Sequence, residues 1–319
     1  MEKNDVLVSV VILTYNDAPF IEETLNSVKD QTYKNIELVV SDDCSTDDTV
    51  ERCSRWLEQN RSRFTNVQLL TVEKNTGVTY NINRAQRAAR GEWIKGLGGD
   101  DLLTPDCIEV FMNFVNSNSD IKIVQCGLAK INENNDFLGY DSKGFNKYFH
   151  SEKIPAYWQH QFLLRKDPLE AMGLFKSKEL LEKVDYYDCE FPMQEDVAFA
   201  MKVVSSGYKI WFIDNYLIKR RMRAGTLSGL SDTTLVNRNN MIRVNINKKY
   251  FVPQLGWLEG KLLLYYDKIH EMFFNHPKLN KKSSYLCRML KHILQSPYIL
   301  IRQYKLRQVR KNICKILQD

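Results

Sequence analysis

Residues 6–16 read VLVSVVILTYN and residues 91–106 read GEWIKGLGGDDLLTPD. In both, an apolar run ends abruptly in polar residues. The run at 6–13 is continuous and rich in β-branched residues, the pattern of a strand buried on both faces of a parallel sheet. The second stretch carries WIKGL, at 93–97, straight into Gly98-Gly99-Asp100-Asp101. Between them lie IELVVS at 36–41, which runs into Asp42-Asp43, and another strand-like run at 67–72. Helical segments separate these strands. Residues 19–32 place Phe20, Ile21, Leu25 and Val28 on one face; Thr46-Asp47-Asp48 supplies capping groups for a helix through Trp56 and Leu57; residues 78–90 form a third. Residues 106–115 read as a helix and 121–126 as a strand. The alternation predicts an α/β fold, a mostly parallel open sheet flanked by helices.

Ligands of such sheets sit at the carboxyl ends of the strands. Here those ends carry Thr14-Tyr15-Asn16, Asp42-Asp43 and Asp100-Asp101. Adjacent aspartates have the wrong sign for a phosphate unless a divalent cation bridges the two. Mg²⁺ and Mn²⁺ take oxygen ligands, commonly one or two carboxylates together with substrate phosphates. Acidic pairs also cap helices, so Asp100-Asp101 alone leaves both roles open. The five histidines lack metal-ligand spacing, and no Ser, Cys or His stands in a nucleophile motif.

The 319 residues are 44% hydrophobic and 26% charged, which excludes a disordered or low-complexity chain. No apolar run approaches the roughly 18 residues of a spanning helix, and residues 1–5 lack an apolar signal region. Seven scattered cysteines without CxxC spacing predict free thiols in a reducing cytosol. The net charge of +6 is unevenly spread. Residues 216–319 hold 21 Lys and Arg against 5 Asp and Glu, while residues 1–215 hold 24 against 34. The C-terminal third is therefore suited to a negatively charged partner.

The order and spacing of VSVVILTYN, LVVSDDCSTDDT (38–49), KNTGV (74–78), GEWIKGLGGDDLLTPD and QEDVAFAMKVVSSGYKI (194–210) resemble the family 2 glycosyltransferases. These are inverting enzymes of the GT-A fold that use nucleotide sugars. The likeness covers about 215 residues, is weaker over 137–168 and fades after Ser228. It implies a catalytic domain at 1–215, with the nucleotide sugar bound by 1–135 and the acceptor side at 136–215. The basic, mostly helical remainder is 216–319.

The same resemblance implies roles for single residues. Tyr15 is placed against the nucleotide base, flanked by Thr14 and Asn16, and Asp43 at the base edge. A carboxylate there accepts the imide N–H of uracil, which favours UDP. Asn83 belongs to the donor site. Asp100 is placed on the ribose side, and Asp101 as the ligand of Mn²⁺ or Mg²⁺. Asp196, after Glu195, is the general base. Arg221 or Arg223, before Thr226-Leu227-Ser228, is placed at the pyrophosphate. Two departures stand out: the family often has Asp at the position of Gly98 and Arg at that of Ile82.

Residues 285–317 place leucines and isoleucines among eight Lys and Arg, and Pro297 predicts a break into two amphipathic helices. Such helices either pack on the catalytic domain or lie on an anionic membrane surface. The implied enzyme transfers sugar from a UDP-sugar to a glycan or polyprenyl-diphosphate-linked saccharide of bacterial O-antigen or capsule synthesis. It would work in the cytoplasm or at the inner membrane face. A metal-dependent nucleotidyltransferase would want a Gly-rich basic loop after the first strand, and 14–17 has neither feature. A nucleic-acid-binding protein would use the basic tail, but the acidic N-terminal part disfavours it.

Overall fold

The computed structural model describes residues 6–141, 146–167, 169, 171–223 and 234–318. The first half alternates as expected: β1 (Val8–Thr14), α1 (Ile21–Lys29), β2 (Ile36–Asp42), α2 (Thr49–Asn60), β3 (Asn66–Leu70), α3 (Val78–Ala88) and β4 (Trp93–Gly98). There follow β5 (Leu102–Leu103), α4 (Cys107–Val115), β6 (Ile123–Ile131), β7 (Phe137–Tyr140), α5 (Ala156–Leu163), β8 (Leu174–Ser177), α6 (Lys178–Lys183), α7 (Glu195–Ser205) and β9 (Trp211–Arg221). The chain closes with α8 (Arg238–Ile246), α9 (Trp257–Asn275) and α10 (Tyr285–Gln318).

The strands form one sheet in the order β3-β2-β1-β4-β8-β6-β9-β5, with β7 paired to β6. β3, β2, β1 and β4 are parallel, β8 is antiparallel to both its neighbours, and β9 is parallel to β6. The continuous apolar run of β1 is explained by helices on both sides. Val8, Val10 and Ile12 share a core with Ile21, Leu25 and Val28 of α1, while Val11 and Val39 pack into another with Ala85 of α3. Register pairs Thr14 with Asp42 and Leu13 with Gly98. The polar ends of three strands therefore meet at one edge.

Two expectations need correction. The division after Asn215 falls inside β9, whose residues pair with β6 up to Arg221. The helices beyond it pack on the catalytic domain, one of the two placements the sequence leaves open: Ile246, Leu263, Tyr298, Val309 and Ile313 are buried in the same core as α5 and α7. Finally, Pro297 does not divide α10, which runs unbroken through it for 34 residues. Proline removes the N–H that would bond to the carbonyl of residue 293. Ser296 Oγ donates to that carbonyl instead, at 2.7 Å, so it is not orphaned.

Candidate active site

The turn after β1 is braced against the turn after β2. Asn16 adopts a left-handed φ of 56°, which its short polar side chain tolerates. Its Oδ1 accepts from Thr46 N (2.8 Å) and its N–H donates to Ser45 Oγ (2.8 Å). Thr14 Oγ1 donates to Asp17 Oδ2 at 2.9 Å. Thr14 and Asn16 thus shape the turn, and the Tyr15 ring is left 45% exposed at the sheet edge.

Asp43, which the resemblance implies at the base edge, is engaged with the chain's own loop. It is buried, and Oδ2 accepts from Thr76 N (3.0 Å) and Gly77 N (2.7 Å) while Oδ1 accepts from Thr76 Oγ1 (2.5 Å). The carboxylate is the hook that holds the KNTGV loop. Gly77, at φ 89°, allows the loop to turn onto it. Arg84 lies 3.5 Å from Asp43 Oδ1 and also donates to Asp42 O and Ser41 Oγ. Arg84 therefore places a cation beside the Asp43 carboxylate.

The strongest electrostatic feature lies at the end of β4, where Asp17, Asp100 and Asp101 crowd around Gly98-Gly99. A Cβ on Gly98 would meet Asp101 Oδ2 at 2.8 Å and Asp100 Oδ1 at 3.1 Å; one on Gly99 would meet Asp17 Oδ2 at 2.5 Å. The absence of side chains at both glycines is what lets the carboxylates gather. Burial, reinforced by the Asp100 charge, pushes Asp101 up to about 7. Asp100 is raised too, by burial and by Asp17, against the pull of Arg223. Arg223 spans the cluster, 2.6 Å from Asp17 Oδ1 and 3.0 Å from Asp100 Oδ2. A cation is already used to hold these carboxylates together.

The members of the cluster are not equivalent. Asp101 is 3% exposed and its Oδ1 accepts from the Arg221 backbone N–H at 2.8 Å, so it lies behind Asp100. Arg221, expected at the pyrophosphate, has a side chain with no exposure at all. It donates to Asp100 O (2.9 Å) and Glu133 O (3.0 Å) and pairs with Glu23 (2.8 Å). It is a staple between β9 and the acidic turn. Of the two arginines, only Arg223 reaches the carboxylate side chains of Asp17 and Asp100. Thr226-Leu227-Ser228 lie outside the described residues, as do Phe145 and Pro168.

Asn83 is likewise a positioning group. Its Nδ2 donates to Tyr187 O (2.8 Å) and its Oδ1 accepts from Tyr187 N (3.0 Å). Tyr187 stacks on Phe199 of α7 at 4.3 Å, so α3 is tied to the helix that carries Glu195 and Asp196. Asp196 stands in the first turn of α7, where a negative charge is favoured, and Oδ1 accepts from Val197 N (2.8 Å). Burial raises the Glu195 carboxyl, whose Oε2 has no hydrogen-bond partner among the described residues. The sequence reading had passed over Asp17, although it directly follows TYN, and Glu195 as a group in its own right.

A cation fits this edge by its chemistry. The donors are carboxylate oxygens, and the cradle left by Gly98-Gly99 concentrates them. Among the described residues no group of three or more His, Cys, Asp or Glu forms a complete metal cage. Ligands from the substrate would have to complete the coordination.

The sequence family described as Glycosyl transferase family 2 matches residues 9–173. An uncharacterized glycosyltransferase of Methanocaldococcus jannaschii is 26% identical over 78% of this chain and 83% of its own length. The putative teichuronic acid biosynthesis glycosyltransferase TuaG of Bacillus subtilis is 23% identical, over 70% of this chain and 81% of that protein. Other relatives are longer, and the chain spans 51% of an uncharacterized glycosyltransferase of Rickettsia felis. The crystal structure of S. aureus TarS 1–349 in complex with UDP-GlcNAc is similar in fold, with a TM-score of 0.63 at 18% identity, over 95% of this chain and 83% of that one.

Proposed function

The chain belongs to glycosyl transferase family 2, and from that membership we propose that it transfers a sugar, with inversion, from a UDP-sugar to a hydroxyl of a glycan or lipid-linked saccharide. The observation that carries the reading is the Asp17–Asp100–Asp101 cluster, gathered at the carboxyl ends of β1 and β4 and bridged by Arg223. The Tyr15 ring would lie against the base, beside the loop held by Asp43. The UDP choice also draws on TarS, whose structure contains UDP-GlcNAc.

Asp100 and Asp101 would hold Mn²⁺ or Mg²⁺, Asp100 from the more exposed side and Asp101 from behind. When bound, the ion supplies Lewis-acid neutralisation of the departing diphosphate. Arg223 would turn from its two aspartates to the diphosphate oxygens as these arrive. Asp196 would take the acceptor's hydroxyl proton while the acceptor oxygen bonds to the anomeric carbon and the bond to the diphosphate breaks. Inversion follows because attack and departure are on opposite faces. General-base assistance of this kind contributes about 10²–10⁴-fold.

The acceptor proposed is an intermediate of a bacterial surface polysaccharide, in keeping with the name of TuaG. Leu286, Met289, Ile293, Leu300 and Tyr304 are exposed at three- to seven-residue spacing along α10, opposite the buried Tyr298, Val309 and Ile313. Arg307, Lys311 and Lys315 continue that side. This stripe would rest on an anionic membrane surface, although no helix among the described residues is long and apolar enough to cross one. The test of the donor assignment is UDP-sugar turnover with and without Mn²⁺. Asp100→Asn should lose the metal stimulation by at least about 10²-fold, and wild-type turnover in that variant would overturn the site.

A further inference from the structure

A cavity of about 720 Å³ opens where α8, α9 and α10 meet the end of α5. Gln194, the residue before Glu195-Asp196, forms part of its wall, so the cavity adjoins the segment bearing the base. Asn239, Gln303, Tyr266 and Tyr298 contribute amides and ring faces. Such a mixture suits a polyhydroxylated ligand better than an apolar one.

The charges around it are unbalanced. Lys166, Arg243, Arg302 and Arg310 line the cavity, against Asp167 and Asp267; Arg165 is neutralised by Glu259 at 2.6 Å. Asp267 is almost wholly buried and burial pushes it up to about 7, so its negative charge is weakened. Arg302 has Tyr298 beneath it, and Arg310 lies over Tyr148 and Phe162. Burial pulls the Arg243 guanidinium down, against the pull of Asp167, Tyr298, Asp196 and Asp267.

The cavity also collects orphaned polar atoms. Asp267 Oδ2, His270 Nδ1 and Arg310 Nε are buried without a hydrogen-bond partner among the described residues. Folded proteins keep few such groups, because each is costly to leave unmade. All three lie behind the cavity's surface, so they mark the polarity of its wall rather than contacts for a ligand.

We propose that this cavity binds an anionic sugar residue of the acceptor, one bearing a carboxylate or a phosphate, and holds the neighbouring sugar's hydroxyl towards Asp196. The inference rests on the glycosyltransfer reading and adds to it the class of acceptor. The experiment is calorimetric titration of the full chain, saturated with UDP, using three probes: a glucuronyl-glucose disaccharide, its neutral glucosyl-glucose counterpart, and the 6-phosphate of the latter. The expected result is binding of one or both charged probes at least about tenfold tighter than the neutral one, equivalent to ~1.4 kcal/mol. Whichever charged probe binds tighter identifies carboxylate or phosphate. Arg302→Gln and Lys166→Gln, both on partly or fully exposed side chains, should weaken charged-probe binding about fivefold or more while keeping the wild-type melting temperature. Equal affinity for all three probes, or unchanged affinity in both variants, overturns the inference while normal UDP binding leaves the donor reading standing. Failure of UDP to bind the wild-type chain overturns the donor reading and this inference with it.

Discussion

Replacing Arg221 by Met separates a structural arginine from a ligand-binding one. The guanidinium has no exposure and donates to the carbonyls of Asp100 (2.9 Å), Glu133 (3.0 Å) and Asn132 (3.3 Å), besides pairing with Glu23 at 2.8 Å. Methionine keeps much of the aliphatic packing but none of those donors. An unsatisfied buried acceptor costs about 1–3 kcal/mol. Glu23 is half-exposed and recovers water, so its share is small. The sum expected is about 3–5 kcal/mol, which is large beside the stability of an ordinary domain. The assay is guanidinium unfolding followed by fluorescence, with UDP affinity measured on the folded fraction. Arg223→Gln is the comparison. Its side chain is partly exposed and bridges Asp17 and Asp100, so the loss of stability should be smaller than for Arg221→Met while UDP-sugar affinity falls. An Arg221→Met protein within about 1 kcal/mol of wild type, but unable to bind UDP, would refute the assignment of Arg221 as a staple.

Three further outcomes are expected. Asp196→Asn should lower transfer by about 10²–10⁴-fold per mole of folded enzyme while UDP affinity is kept, since Asn still caps α7 but takes no proton; retention of more than about a tenth of the rate removes Asp196 as the base. Asp267 is raised in the fold to about 7 from an ordinary value near 3.8, so its ionisation opposes folding and its contribution to stability should decline as pH rises from about 4 to 7. Asp267→Asn should flatten that decline, by about 4 kcal/mol at most, in denaturation curves taken across the range. In flotation assays the chain should bind vesicles rich in anionic lipid, and Leu286→Glu with Ile293→Glu should release it; equal binding to neutral vesicles, or no effect of the pair, removes α10 as the membrane face.

Much of the fold was legible because the parallel half obeys local rules. A strand buried on both faces is apolar at most positions, and β1 and β2 depart from that only at Ser9 and Glu37, which hydrogen-bond each other, and at their polar carboxyl ends. The antiparallel half was harder to read. β8 is four residues long and includes Lys176, an unlikely-looking strand residue whose ammonium is buried against the Tyr187 hydroxyl at 2.9 Å. The extent of β9 was hidden for a similar reason. Lys219-Arg220-Arg221 fall in the stretch the sequence reads as mostly helical, yet they pair with β6 in the middle of the sheet, after Asp214-Asn215 bulge out of the ladder, and pairing across the sheet outweighs local propensity.

The site shows where motif reading stops. TYN, DD and GGDD did identify the edge, because strand ends in such sheets converge wherever the register brings them level. What the motifs do not convey is which atom of a conserved-looking residue type is already engaged. Asp43, Asn83 and Arg221 have side chains that suit a ligand, yet each is committed to backbone 33 to 121 residues away along the chain. Those bonds depend on the loops between the strands, whose course no periodicity predicts. Arg223, two residues from Arg221, illustrates the consequence. Alternation along β9 and its continuation gives both arginines the same side, and sequence alone treats them as interchangeable. Burial separates them: the Arg221 side chain is wholly buried at the end of β9, whereas that of Arg223, just past the last paired residue, is partly exposed beside Asp17 and Asp100.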